Sequence, residues 1–308
     1  MNRLFAPVNP LGRTGFKATI LGIGDVADRS VPIEQCVATV RRALDAGLNV
    51  IDTAPGYEDG YSEEIVGRAI AGRRRDVFVI DKIDHHEQPV EPQVLASLSR
   101  LGVEQVDAMV LHGLSTLEGW RKACGPGGAM EQLAAEIARG RCRFRGISSH
   151  DPDVLAAAIE SGLCDVVMFA VGPWCDRRYV RQILPLARER GVATVCFKTF
   201  GAGKLLGDTA GYGRPLQRRP RGKFSSGGLG AGEATLPRLT VRECVHYTLT
   251  CGPDVALLGM SFANEQDAAF AAAGDFAPLD EATMADIGAR AAGAIEGKGP
   301  CWWNPDGR

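Results

Sequence analysis

The chain has 308 residues, 45% of them hydrophobic, enough to bury one large core without calling for a second domain. Its 35 basic and 37 acidic side chains leave a formal charge of -2, which excludes any general attraction to nucleic acid or anionic lipid. Nine cysteines form no C-x-x-C pair and no Cys/His cluster at metal-ligand spacing, no apolar run reaches the ~18 residues of a membrane span, and residues 1–12 lack the apolar stretch of a secretion signal, so the expectation is a single domain over 1–308 in the reducing cytoplasm.

In chain order, residues 11–17 read as a hairpin turn that plugs the bottom of a barrel. From about residue 18 to residue 273, short β-rich runs alternate with amphipathic helical stretches, the pattern of parallel strands joined by crossover helices. Strands are predicted over 18–24, 48–52, 77–82, 108–112, 144–148, 166–169, 192–197 and 255–260. Helices are predicted over 33–46, 62–71, 92–101, 130–139, 152–161, 177–190, 241–251 and 265–273. Eight such units close a (β/α)8 TIM barrel more readily than an open sheet. Asp151-Pro152 reads as an N-cap followed by proline at the first helical position, and Gly47, Gly140, Gly162 and Gly191 fall where helices end in left-handed backbone.

Two connections, 113–129 after the fourth unit's strand and 201–237 after the seventh, are too long to be simple links and emerge at the catalytic face of such a barrel. The second carries Arg214, Arg218, Arg219, Arg221 and Lys223, which read equally as a solvated loop or as an anion clasp. Beyond the eighth unit, 279–295 reads as an extra helix. The tail then ends in Trp302-Trp303-Asn304, for which packing on the barrel exterior is the commoner fate and a position over the pocket the alternative.

Asp52, Tyr57, Lys82 and His112 sit at or just beyond the C-terminal ends of consecutive predicted strands, and in a parallel barrel those ends share one face. A tyrosine phenol, ordinarily near pKa ~10, needs a nearby positive charge or a proton relay to exchange protons at neutral pH. Lys82 supplies such a charge, Asp52 keeps the lysine ionised, and His112 offers a hydrogen bond to a substrate carbonyl or a share in proton transfer. The set contains an acid with electrostatic support and no nucleophile. It suits carbonyl reduction in which a nicotinamide delivers hydride.

The motifs and their order resemble those of the aldo-keto reductases from end to end. They comprise Leu11-Gly12-Arg13-Thr14-Gly15, Ile51-Asp52-Thr53-Ala54-Pro55-Gly56-Tyr57, Ser62-Glu63-Glu64, Gly67-Arg68-Ala69, Arg75-Asp76-Val77-Phe78 before Lys82, Ser99-Arg100-Leu101-Gly102 before Val106-Asp107, Leu111-His112 and Gly146-Ile147-Ser148-Ser149. The resemblance implies NADPH or NADH bound extended across a β/α barrel, Tyr57 as general acid tuned by Lys82 and Asp52, and His112 positioning the carbonyl of an aldehyde, ketone or sugar. Cofactor contacts implied by the same alignment of motifs are Gly24, Asp52, Ser148, Ser149, Met168, Phe197, Lys198, Thr199, Phe200, Gly201, Gly203, Ser261, Asn264 and Gln266, with Asp25 reading equally as a contact or a turn residue. Ser148-Ser149 stands where the family often has Ser-Asn, Met168-Phe169 where it has Gln-Asn, and Lys198-Thr199-Phe200-Gly201-Ala202-Gly203 where it has Ser-Pro-Leu-x-x-Gly. No basic residue lies in 260–267, where many NADPH-preferring relatives pair a cation with the 2′-phosphate, so only a modest preference between NADPH and NADH is expected.

Blander and rival readings bear on these residues. His85-His86 reads first as a pair of solvated loop histidines. A metal-dependent hydrolase on the same barrel would need a ligand cluster, and the first strand carries no histidine pair. A cofactor-binding sensor with little turnover, and a lyase or epimerase using the cofactor transiently, remain as alternatives.

Overall fold

The computed structural model describes residues 4–206 and 237–305. Strands β1 (Asn9–Pro10) and β2 (Lys17–Ala18) pair antiparallel as the expected hairpin. Eight parallel strands succeed it: β3 (Leu21–Ile23), β4 (Val50–Asp52), β5 (Phe78–Ile83), β6 (Val106–Leu111), β7 (Cys142–Ser148), β8 (Val166–Ala170), β9 (Ala193–Phe197) and β10 (Val255–Leu258). They lie in chain order, and β10 closes on β3, giving the (β/α)8 barrel.

The core has two layers because successive strand side chains point to opposite faces. Val50, Phe78, Ile80, Ala108, Val110, Val166, Met168, Val195 and Leu257 fill the barrel, and Leu11 of the hairpin, with Phe16 against Phe78, seals its lower end. Val79, Ile83, Met109, Leu111, Ile147 and Val167 point outward to the helices. Two residues on from an inward side chain, the next is inward again. Val50 therefore leads to Asp52, Ile80 to Lys82 and Val110 to His112, each one step higher towards the open face.

Around the barrel run α1 (Ile33–Asp45), α2 (Tyr61–Ile70), α3 (Val90–Leu101), α4 (Leu117–Cys124), α5 (Ala129–Ala138), α6 (Pro152–Glu160), α7 (Leu184–Arg190), α8 (Val241–Cys251), α9 (Ala263–Gly274) and α10 (Glu281–Ile295). Asp151 caps α6, accepting from the amides of Asp153 and Val154 at 2.8 and 3.1 Å. Gly47, Gly140, Gly162 and Gly191 all take positive φ.

Three local expectations change, and a fourth lies largely outside the described residues. The strand expected over 18–24 is divided: Ala18 belongs to the hairpin, Thr19 turns to give a 2.9 Å bond from its amide to Asn49 Oδ1, and the barrel strand starts at Leu21. The connection 113–129 holds α4, whose N-cap Thr116 accepts from the amide of Gly119 at 3.1 Å. The helix expected over 177–190 carries a π-helical turn, Tyr179–Ile183, ahead of α7. Of the connection 201–237, residues 201–206 form tight turns, while Arg214, Arg218, Arg219, Arg221 and Lys223 lie outside the described residues. Among the described residues, no helix is long and apolar enough to cross a membrane.

Candidate active site

Asp52 ends β4 and Lys82 stands on the neighbouring β5, so their inward side chains meet. Lys82 Nζ lies 2.5 Å from Asp52 Oδ1 and donates a second bond of 2.7 Å to the carbonyl of Thr53. Side-chain exposures of 2% and 7% leave this pair almost unscreened by water. Burial alone would depress the Lys82 ammonium, but Asp52 and Tyr57 hold it above the ordinary lysine range. Burial pushes the Asp52 carboxyl up, against the pull of Lys82.

Tyr57 reaches the same point from the turn between β4 and α2. Its amide donates to Ala54 O at 3.1 Å, and left-handed backbone at Glu58, Asp59 and Gly60 returns the chain to the helix. Lys82 Nζ stands 4.5 Å from the centre of the tyrosine ring. Burial raises the phenol, and Lys82 only partly pulls it back. Lys82 thus pulls the phenol in the expected direction, but dehydration of the pocket outweighs that pull and the net shift is upward.

His112 follows β6, its amide bonded to Ile83 O at 3.0 Å. Its ring meets Tyr57 edge-on, with centroids 5.5 Å apart, and its Nδ1 lies 2.5 Å from Asp84 Oδ1. Gly56 makes room for that carboxylate, since a Cβ there would come within 2.7 Å of Asp84 Oδ2. Burial raises the Asp84 carboxyl, but the bond and charge of His112, the Gly56 amide and Lys82 together outweigh it, and the net shift is downward. With Nδ1–H given to Asp84, a neutral His112 offers Nε2 as an acceptor, and the imidazolium offers it as a donor.

These side chains open into one cavity of ≈ 390 Å³, which Gly24, Asp25, Ser148, Met168, Phe197, Lys198, Thr199 and Phe200 also line. Ser149 lies just behind it, accepting at Oγ from the amide of Asp151 at 3.1 Å. Gly201 and Gly203 form the turn beneath Phe200. Ser261, Asn264 and Gln266 cluster at the start of α9, away from this lining. There Glu265 accepts from the amides of Ser261 and Phe262 at 2.7 and 3.2 Å, and Gln266 donates to Thr39 O at 2.9 Å. His85 and His86 line a neighbouring depression instead.

Four residues escape the sequence reading: Asp84, His150, Ala202 and Arg42. Asp84 has a local signal, being two residues past Lys82. His150 directly follows Ser148-Ser149; its ring meets Phe197 edge-on at 5.6 Å, and burial, with Lys198 and His112 adding to it, pushes its imidazole down to about 4. Ala202 lines the cavity in left-handed backbone, with φ of 53°. Arg42 of α1 brings a cation to α9, donating to Gln266 Oε1 at 2.9 Å and pairing with Asp267 at 2.5 Å, so the charge absent from 260–267 arrives from elsewhere in the fold.

The C-terminal tail does not merely coat the exterior. Trp302 forms part of the cavity wall, while Trp303 is fully buried, donating from Nε1 to Trp174 O at 2.8 Å. Lys204 holds the tail through bonds to Gly299 O and Pro300 O at 3.0 and 2.6 Å.

Two buried polar atoms of the lining, His150 Nδ1 and Thr199 Oγ1, make no hydrogen bond within the described protein. With the ring of Phe197 beside it, Thr199 Oγ1 suits a flat, amide-bearing heteroaromatic ring such as nicotinamide. Among the described residues, no three His, Cys, Asp or Glu side chains converge as a metal site would require.

Comparison with known proteins agrees with this architecture. Residues 19–287 match the model of the aldo/keto reductase family. The NADH-specific methylglyoxal reductase of Escherichia coli is 26% identical over 227 residues, covering 64% of this chain and 68% of that protein. The L-galactose dehydrogenase of Arabidopsis thaliana is 26% identical over 220 residues, covering 63% and 66% respectively. Among solved structures, the holo form of an aldo-keto reductase from Bacillus halodurans superposes with a TM-score of 0.67 at 24% identity, covering 91% of this chain and 94% of that one. The chain belongs to the aldo/keto reductase family and is an NAD(P)-dependent oxidoreductase of that type.

Proposed function

We propose that this oxidoreductase reduces the carbonyl of a small aldehyde, ketone or sugar, or oxidises the corresponding alcohol or aldose, with Tyr57 as general acid and base. The observation that carries this is the buried run from Asp52 through Lys82 to Tyr57, ending beside His112 in a single cavity. Relatives named for methylglyoxal and for L-galactose support the same range of small carbonyl and sugar substrates.

When bound, a reduced nicotinamide supplies hydride to the carbonyl carbon. Phe197, Ser148, Met168, Thr199 and Phe200 are assigned to its ring, with Gly24 and Asp25 across the cavity, Ser149, Gly201 and Gly203 in support, and Ser261, Asn264 and Gln266 at the adenosine end. Tyr57 gives its phenolic proton to the carbonyl oxygen as negative charge develops there. The phenolate left behind faces the Lys82 ammonium, which Asp52 keeps charged. Because burial raises the phenol, its protonated form is resident at neutral pH and reduction starts with the donor loaded. His112 orients the oxygen through Nε2, with Asp84 fixing its ring.

A screen of carbonyls and sugars with NADPH and NADH, followed by nicotinamide absorbance in both directions, tests this. Tyr57→Phe is expected to lose turnover by on the order of 10²-fold or more while still binding cofactor. Activity within a few-fold of the parent would overturn the role of Tyr57. Stoichiometric cofactor consumption separates a reductase from an epimerase or lyase, which would turn over without net consumption, and from a sensor, which would not turn over.

A further inference from the structure

One cation of the cavity, Lys198, is implied by the family resemblance as a cofactor contact but takes no part in the proton transfer described above. Lys198 directly follows β9 in left-handed backbone, φ 70°, which a side-chain-bearing residue seldom adopts. Its carbonyl accepts from the amide of Gly201 at 2.8 Å, and Gly172 packs so close that a Cβ there would stand 2.8 Å from that same oxygen. The surroundings thus hold the backbone in a costly conformation that aims the side chain into the cavity. Lys198 Nζ stands 5.2 Å from the centre of the Trp302 ring and 5.6 Å from that of Phe197.

Lys198 is half-buried, and the fully buried lysines of this region are satisfied. Lys82 pairs with Asp52, Lys204 binds Gly299 O and Pro300 O, and Lys298 donates to Lys204 O at 2.7 Å. Among the described residues no carboxylate pairs with Lys198, and none figures among the charges that act on it, where the Cys175 thiol alone opposes the downward shift. Burial, with Lys204 adding to it, lowers its ammonium to about 8, the cost of a cation held without a counter-ion. His150, beside it, keeps its Nδ1 unpartnered, and Trp302 covers the ammonium with an aromatic face.

Resting on the function proposed above, we infer that Lys198 is a specificity-determining residue that receives an anionic group of the carbonyl substrate, a carboxylate or phosphate, with His150 and Trp302 completing the subsite. Substrates of this class carry the reducible carbonyl at one end and the anion at the other. Tyr57 and His112 address the first, and Lys198 the second, across the same cavity. A charge-assisted hydrogen bond to Lys198 satisfies the ammonium and desolvates the anion between Trp302 and His150. A neutral substrate leaves the ammonium unpaired. The same chemistry would also suit a cofactor phosphate, so the test must distinguish the two sources.

The experiment compares kcat/KM for para-carboxybenzaldehyde with that for para-carbamoylbenzaldehyde, and for glyceraldehyde 3-phosphate with that for glyceraldehyde, in the parent, Lys198→Met and Lys198→Arg. The parent is expected to favour the anionic member of at least one pair by about tenfold or more. In Lys198→Met that ratio collapses towards one, chiefly through KM, and Lys198→Arg restores it. A parent without anion preference, or a ratio that survives Lys198→Met while the dissociation constant for NADPH or NADH rises, overturns the inference; the second outcome assigns Lys198 to the cofactor phosphates. Binding of benzoate against benzamide, followed by tryptophan fluorescence, reads the subsite without turnover. Benzoate is expected to bind the parent in preference to benzamide and to lose that preference in Lys198→Met. Should the parent reduce neither member of a pair, the function fails, while the benzoate result still decides the subsite; benzoate binding equal in parent and variant refutes it.

Discussion

Replacing Lys82 with Met removes one half of an ion pair whose side chains are 2% and 7% exposed, so water cannot compensate the charge left behind. Breaking a buried pair on one side costs roughly 3–5 kcal/mol, because Asp52 must stay ionised without a partner or take up a proton. With an unfolding entropy of about 2.1 cal/mol/K per residue over 308 residues, this corresponds to a drop in Tm of roughly 5–8 °C. The pH dependence has a definite sign. Burial already raises the Asp52 carboxyl in the fold, and losing Lys82 raises it further. A carboxyl whose folded pKa exceeds its unfolded value destabilises the fold once both states would be ionised. The deficit of Lys82→Met is therefore full above the raised folded pKa and shrinks as pH falls towards the unfolded value of ~3.9. Asp52→Asn added to Lys82→Met removes the stranded charge and should recover most of the stability at all pH, but not the activity, since Tyr57 still lacks its cation. Thermal unfolding followed by circular dichroism between about pH 5 and 8 measures both terms. A single variant within about 1 kcal/mol of the parent at the upper pH, or a double variant no more stable than the single, would refute the buried-pair account.

Other substitutions probe the neighbouring elements. Gly146→Ala places a Cβ 1.8 Å from Val166 O of the adjacent strand, a backbone clash that β7 and β8 cannot relieve, and soluble folded protein should be lost or its Tm fall sharply in a thermal melt. Asp84→Asn keeps an acceptor for His112 Nδ1 but removes the negative charge, so kcat should fall while KM changes little. Because the Asp84 carboxyl is lowered in the fold, its stabilising contribution is present above the ordinary value of 3.8 and lost as pH falls through the folded value; parent and variant stabilities should therefore converge in acid unfolding. For the cofactor, kcat/KM with NADPH and NADH should differ by less than about a hundredfold, because Arg42 is engaged by Asp267 and Gln266, and Glu265 occupies the amides of Ser261 and Phe262 just ahead of α9. A larger preference for NADPH would show that Arg42 exchanges Asp267 for the 2′-phosphate, which Arg42→Ala would then abolish.

The barrel and the convergence of Asp52, Lys82 and His112 on its open end were legible because both follow from local rules. Strand residues alternate faces with a period of two, so an inward Val50, Ile80 and Val110 commits Asp52, Lys82 and His112 to the open end before any tertiary contact is known. Glycines closing the helices and the Asp151 cap are likewise decided within a few residues. Element boundaries shifted where a distant partner intervened, as when Asn49 took the amide of Thr19 and shortened the first barrel strand.

What only the tertiary structure decided is how residues without a shared local pattern meet. Asp84 supports His112 across 28 residues because Gly56, from a third element, leaves space for its carboxylate. Arg42 reaches Gln266 across 224 residues because α1 and α9 follow β3 and β10, the strands that meet where the barrel closes. Trp302 enters the cavity because Lys204 holds the tail by its backbone carbonyls and Trp303, bonded to Trp174 O, fills the space beneath, so a composition that reads as an exterior aromatic pair becomes a wall of the pocket. The net shift of Tyr57 belongs here too: the sequence by itself determined that a lysine stands near the phenol, but whether that charge or the surrounding dehydration prevails depends on how completely the assembled barrel excludes water.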